Sequence, residues 1–199
     1  MSKETLIALR KQTGAGIADI TSALEEAGGD TDKALELLRK RGVAKAAKKQ
    51  DRDANEGIVA SYIHANGRVG VLVEVACETD FVARNDDFKA FVSEIALHIA
   101  GANPLYLTAD EVPGEVVEKE KEIAREQLQN EGKIEGKPEE MIAKILEGKV
   151  KKYFAETVLM EQESIKDESK TISDMVTEAT AKMGEKIEIK RFTRYAIGG

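Results

Sequence analysis

The side chains best suited to covalent or metal chemistry in this chain are few: His64, His98 and Cys77. No spacing brings them into a ligand pattern, so a zinc site is not predicted. No base stands beside Cys77. It follows Val75 and Ala76 at the end of an apolar alternation and reads as a buried, inert thiol. Carboxylates are abundant but scattered along helical stretches, where solvation accounts for them. Gly14-Ala15-Gly16 is too short to cradle a phosphate, and no Lys-Ser/Thr follows it. The residues therefore describe a protein that is not an enzyme and carries no cofactor and no metal. What remains is binding chemistry.

The run Glu74 to Arg84 is its best carrier. Val69, Val71, Val73 and Val75 alternate with other residues and predict a half-buried strand. Asp80 then suits a helix N-cap. The strand should turn sharply into a helix, with Phe81 in the first turn. A large aromatic at such a corner is either tucked beneath the turn or held out for a partner, and spacing alone leaves both readings open. Asp80 as a cap would also complement the helix dipole, which is compatible with touching a partner. Arg84 opposes that dipole. Either an acidic partner or a local pair with Asp86 or Asp87 explains it.

The elements around this corner predict an α+β chain. The first forty residues read as three short helices. Ser2 can cap the first, which carries Leu6 and Leu9. Ile17, Ile20, Leu24 and Ala27 share a face of the second. Asp30 or Thr31 starts the third, which Gly42 closes. Residues 1–42 then form a three-helix bundle resembling a ubiquitin-associated domain, with a marginal core. Residues 43–55 are a basic linker, helical or flexible. Seven basic residues stand between Arg39 and Arg52 against one acid, Asp51. That run is either a solvated linker or a patch for RNA or an acidic surface, and no interleaved aromatics favour base stacking.

Residues 56–199 make the α+β core. Ile58 to Ile63 and Arg68 to Ala76 are predicted strands joined by a two-residue Asn66-Gly67 turn. Asp86 to Ala100 is a helix with an apolar stripe of Phe88, Phe91, Val92, Ile95 and Ile99, ended by Gly101 and Pro104. Half of the residues from Glu115 to Lys152 are charged. This predicts a solvated helical hairpin, close to a coiled coil, inserted at about residues 112–155. Thr157 to Gln162 reads as a short strand. Ser169 or Thr171 caps a helix that Gly184 stops, and Ile187 to Tyr195 is a last strand. A small antiparallel sheet packed with helices is the expected architecture.

Composition excludes several classes. Hydrophobic residues make up 42% and charged residues 34% of the 199, which suits a soluble protein with a modest core. No apolar run approaches 18 residues, and no signal peptide is expected at the N-terminus. A single cysteine rules out an internal disulfide framework and fits a reducing cytoplasm. The net charge of −7 argues against general nucleic-acid binding.

Two stretches carry a family resemblance. Thr79-Asp80-Phe81-Val82 and Leu9-Arg10-Lys11-Gln12-Thr13-Gly14-Ala15-Gly16-Ile17-Ala18-Asp19 stand in the order and form seen in the elongation factor Ts family. Its members are nucleotide-exchange factors for the translation GTPase elongation factor Tu. Ala76 departs from the family, which usually has Asn there. The resemblance implies that Phe81 inserts between helices of the GTPase near its magnesium site, with Thr79, Asp80 and Val82 in the same wedge. It implies that Arg10, Ile17 and Ala18 belong to a bundle that docks on the nucleotide-binding domain, although the i, i+3, i+7 pattern of Ile17 favours bundle core. It also implies that His98 touches another domain of the GTPase, against the commoner role of a satisfied structural histidine. The core occurs once, as in short family members, which pair as homodimers. The partners implied are elongation factor Tu and a second copy, without stable nucleic-acid binding and without a membrane. Competing readings are an adaptor that uses the bundle without affecting nucleotide, and an RNA-binding protein acting through the basic linker.

Overall fold

The computed structural model describes residues 3–198 and is α+β. Ser2, expected to cap the first helix, lies outside the described residues. The chain divides into two compact units. One comprises the residues up to Leu97 together with those from Ser173 onward, and the other is His98–Ile172.

The first unit opens with three helices, α1 (Lys3–Thr13), α2 (Ile17–Glu26) and α3 (Thr31–Ala47). Leu9, Ile20, Ala23, Leu24, Ala34 and Leu38 form their common core. Asp30 caps α3, accepting hydrogen bonds from the Asp32 and Lys33 amides at 3.0 and 3.1 Å. Two expectations are corrected here. Ile17 is 56% exposed and is not bundle core, because it is the first residue of α2 and its side chain lies beyond the packed turn. Gly42 does not close α3. The helix runs on to Ala47, and a Cβ at Gly42 would lie 3.2 Å from that of Ala181, so this glycine permits close packing.

The sheet has the order β1-β2-β3, with β1 (Glu56–Ile63) and β3 (Glu188–Ala196) each antiparallel to the central β2 (Val69–Cys77). Val71, Val73 and Val75 point to the buried face, as the alternation predicts. Val59, Leu72 and Tyr195 share the opposite face, and they are 67%, 48% and 73% exposed. The β1–β2 connection is longer than a two-residue turn. Ala65 to Arg68 form the loop, with the Gly67 amide bonded to the His64 carbonyl and Gly67 itself at φ +68°. Gly67 thus supplies the left-handed exit from the turn, not its centre. Beyond β2 come α4 (Asp80–Arg84) and α5 (Asp86–Ala102). Phe88, Val92, Ile95 and Ile99 on α5 are fully buried. α5 continues one residue past Gly101, and Asn103 at φ 50° provides the left-handed stop before Pro104.

The second unit contains the helical hairpin, α6 (Gly114–Asn130) and α7 (Glu139–Thr157). Ala124, Leu128, Ile142 and Leu146 make its seam. The predicted strand at residues 157–162 is absent. Leu159–Glu161 is a 3-10 turn that curls the chain directly after Val158, so the bridge of Val158 to Tyr106 stays isolated. The chain returns to the first unit through α8 (Ile172–Met183), stopped by Gly184 at φ +75°.

Candidate functional site

The corner between β2 and α4 holds Thr79, Asp80, Phe81 and Val82. α4 is only five residues long, too short to be stable by its own hydrogen bonds. Its cap is Thr79, not Asp80. The Thr79 backbone is extended (φ −132°, ψ 156°) and its Oγ1 accepts from the Val82 amide at 3.4 Å. Asp80 is the first helical residue, where its charge still suits the dipole. It pairs with Arg84 at 2.9 Å, so Arg84 finds its counter-charge within α4 and not at Asp86 or Asp87. Those two pair instead with Lys89 and Lys182.

The base of α4 is fixed. Ala83 is buried, and its amide donates to the Thr79 carbonyl. The Cys77 thiol donates to that carbonyl at 3.2 Å. Burial, followed by the charge of Glu185, pushes the Cys77 thiol up in pKa, which agrees with an inert residue. Asn85 leaves α4 in an extended conformation, and its side chain accepts from the Asp87 amide to start α5. Against this braced base, Phe81 is 81% exposed. Of the two alternatives left open by spacing, the structure takes the second: the ring is held out. Val82 is half-buried beneath it.

Residues far away in sequence complete the corner. The Glu185 carboxylate accepts both the Thr79 amide (3.0 Å) and the Thr79 hydroxyl (2.7 Å). Glu78 accepts the Lys186 amide at 2.6 Å and pairs with Arg52 at 3.1 Å. The Lys186 amide is the main reason that the Glu78 carboxyl is held below the usual glutamate range, with Arg52 assisting. Sequence reasoning missed Glu78, Glu185 and Arg52. Glu185 reaches Thr79 only through the fold, and no local signal reveals that Arg52 of the basic run pairs with Glu78.

The other predicted residues are distributed. Arg10 and Ala18 are exposed on the bundle, as Ile17 is. Arg10 lines a shallow groove with Lys11, Gly14, Asn85, Asp87 and Lys182, so the end of α1 and the end of α4 share one surface. His98 is 1% exposed. Its Nε2 lies 2.9 Å from Gln162 Oε1, and its Nδ1 is 3.4 Å from the Ile165 amide. That is the geometry of a satisfied structural histidine.

The basic run is largely occupied. Arg39 pairs with Glu178, Lys40 with Glu36, Arg41 with Glu26, Lys45 with Asp19 and Arg52 with Glu78. Lys49 donates to the Gly184 carbonyl. Among the described residues no cluster of histidine, cysteine and carboxylate side chains could hold a metal ion, and no helix is long and apolar enough to cross a membrane.

The elongation factor TS family model matches residues 41–199. The chain is 53% identical over 190 residues to elongation factor Ts of Thermosipho melanesiensis, covering 96% of this chain and 95% of that protein. It is 51% identical over 198 residues to elongation factor Ts of Fervidobacterium nodosum, covering 100% of this chain and 98% of that one. Elongation factor Ts of Geobacter metallireducens is 54% identical over 190 residues, 96% of this chain and 86% of its own length. With half of the residues kept across nearly the whole of such relatives, this chain belongs to the elongation factor Ts family.

Proposed function

We propose that this chain is a guanine-nucleotide exchange factor of translation elongation. It binds the GDP form of elongation factor Tu, displaces magnesium and promotes GDP release so that GTP can enter. It makes and breaks no bonds. Its work is linkage: holding the GTPase in a conformation that binds nucleotide badly weakens nucleotide by the factor by which nucleotide weakens the complex. The observation that carries the reading is Phe81, 81% exposed on a helix whose base is braced. An aromatic ring left in water by a fixed corner is an anchor for a partner pocket.

In this reading Thr79, Asp80 and Val82 belong to the wedge, and Arg10, Ile17 and Ala18 to a second docking surface on the bundle of residues 1–42. The exposure of Ile17 (56%) and Ile7 (58%) supports that second surface. His98 contributes by ordering its own unit, not by contact. A homodimer is part of the proposal, supported by Val59, Leu72 and Tyr195 exposed on one face of the sheet. The protein acts in the cytoplasm, where its one cysteine stays reduced.

The test is release of a fluorescent GDP analogue from purified elongation factor Tu. The unmodified chain should accelerate release, and Phe81→Ala should lose at least about sevenfold of that acceleration while staying folded. No acceleration by the unmodified chain would sink the exchange-factor reading and leave the adaptor.

A further inference from the structure

Thr79 has three tasks at once. Its extended backbone hands the chain from strand to helix, its hydroxyl caps the Val82 amide, and its own amide needs an acceptor because β2 has ended at Cys77. Glu185 serves the last two tasks. One carboxylate oxygen takes the Thr79 amide, and the other takes the Thr79 hydroxyl proton. A hydroxyl has one proton, so giving it to Glu185 leaves lone pairs facing the Val82 amide. An ionised carboxylate only accepts, which fixes this direction. The arrangement is reciprocal, since Glu78 in turn accepts the Lys186 amide. Two adjacent pairs, 78–79 and 185–186, each give the other an amide and a carboxylate.

The geometry points to Glu185 as the positioning residue for the Phe81 wedge, acting through Thr79. This inference rests on the exchange-factor reading above. A helix of five residues takes its direction from whatever holds its first turn. Glu185 holds the residue before that turn at two points, and two points fix an orientation where one permits rotation. In this inference Glu185 acts through Thr79 and not by direct contact with the GTPase. It sets the angle at which Phe81 projects, so its loss should spare docking and impair the wedge.

The experiment measures GDP release from elongation factor Tu against factor concentration for the unmodified chain, Phe81→Ala, Glu185→Ala, Glu185→Gln and Thr79→Ser. Glu185→Ala should lower the maximal release rate at least fivefold and leave the half-maximal concentration within twofold. Glu185→Gln keeps one acceptor and should fall between. Thr79→Ser keeps the hydroxyl and the amide that Glu185 holds, so its rate should exceed that of Glu185→Ala. Hydrogen exchange at the Val82 and Ala83 amides of the free protein should quicken in Glu185→Ala. Glu36→Ala, which removes an exposed carboxylate paired with Lys40, should change none of these. A Glu185→Ala protein with an unmodified maximal rate, or with its loss wholly in the half-maximal concentration, overturns the inference while a crippled Phe81→Ala keeps the wedge standing. If Glu185→Ala does not fold, an unmodified rate in Glu185→Gln overturns it equally. An active Phe81→Ala removes the wedge, and the inference with it.

Discussion

Phe81 and Phe88 lie seven residues apart in sequence, and the same substitution at each should have opposite consequences. Phe88 is 0% exposed and Phe81 is 81% exposed. Phe88→Ala empties a packed site and should cost about 3–5 kcal/mol of stability, or about 6–20 °C in Tm for a chain of this size. Phe81→Ala removes a ring already in water, so stability should change by less than about 0.5 kcal/mol. Its effect belongs to the complex. Burying a phenylalanine side chain is worth about 1.5–3 kcal/mol, and scaling by the 81% still exposed leaves about 1.2–2.4 kcal/mol, or about 7- to 50-fold. The assay pairs urea unfolding followed by circular dichroism with GDP release from elongation factor Tu, both variants side by side. If Phe81→Ala unfolds as early as Phe88→Ala, the ring is part of the core and the structural argument is wrong. If Phe81→Ala is stable and fully active, the exposed ring has no part in exchange.

Four further outcomes are expected. Gly57 sits at φ +144° with a Cβ position 2.2 Å from the Val75 carbonyl oxygen, so Gly57→Ala should destabilise by about 2–4 kcal/mol in urea unfolding. Gly14→Ala, at φ +66° and 2.6 Å from the Lys182 carbonyl oxygen, should also destabilise and should weaken binding to elongation factor Tu by displacing α1. Burial, opposed by the Gln162 hydrogen bond, holds the His98 imidazole below its ordinary pKa. The unfolded chain then binds that proton at higher pH, so stability is full above the ordinary histidine pKa of about 6.5 and declines as pH falls below it. His98→Gln should flatten that slope between about pH 7 and 5. Glu78 is held below the usual glutamate range, so its contribution is present above that range and lost as pH falls through the lowered value. Acid unfolding curves of Glu78→Gln should lack that component.

The sequence made some elements legible because their signals are local. The alternation of Val71, Val73 and Val75 and the stripe of Phe88, Val92, Ile95 and Ile99 fall on the buried faces they predict. Charge density revealed the α6–α7 hairpin, whose seam buries only four residues. Failures came where distant packing decided. Gly42 resembles a helix stop, yet its lack of a side chain serves the approach of Ala181. Asp80 is the better cap by type, yet Glu185, 106 residues away, holds Thr79 in the capping position. The apolar residues after Thr157 resemble a strand, but the 3-10 turn at Leu159–Glu161 limits the pairing to one bridge, Val158 to Tyr106. Whether Phe81 was core or surface was undecidable from spacing, because its exposure depends on a corner assembled from both ends of the first unit.

The reciprocal carboxylate contacts at that corner bear on how the protein is made. Thr79 and Glu185 are separated by 106 residues, which a ribosome adds in about 5–20 s at ordinary synthesis rates. During that interval β2 has β1 beside it but lacks β3, and the wedge helix lacks the group that orients it. A nascent chain can therefore complete its three-helix bundle, and even its hairpin, while its Phe81 corner is still unformed. Under the proposed function such a chain presents its bundle early, and its Phe81 wedge only after translation has passed residue 185. Within each molecule the Phe81 corner thus matures after the bundle and the hairpin, an order of assembly set by the distance between two residues.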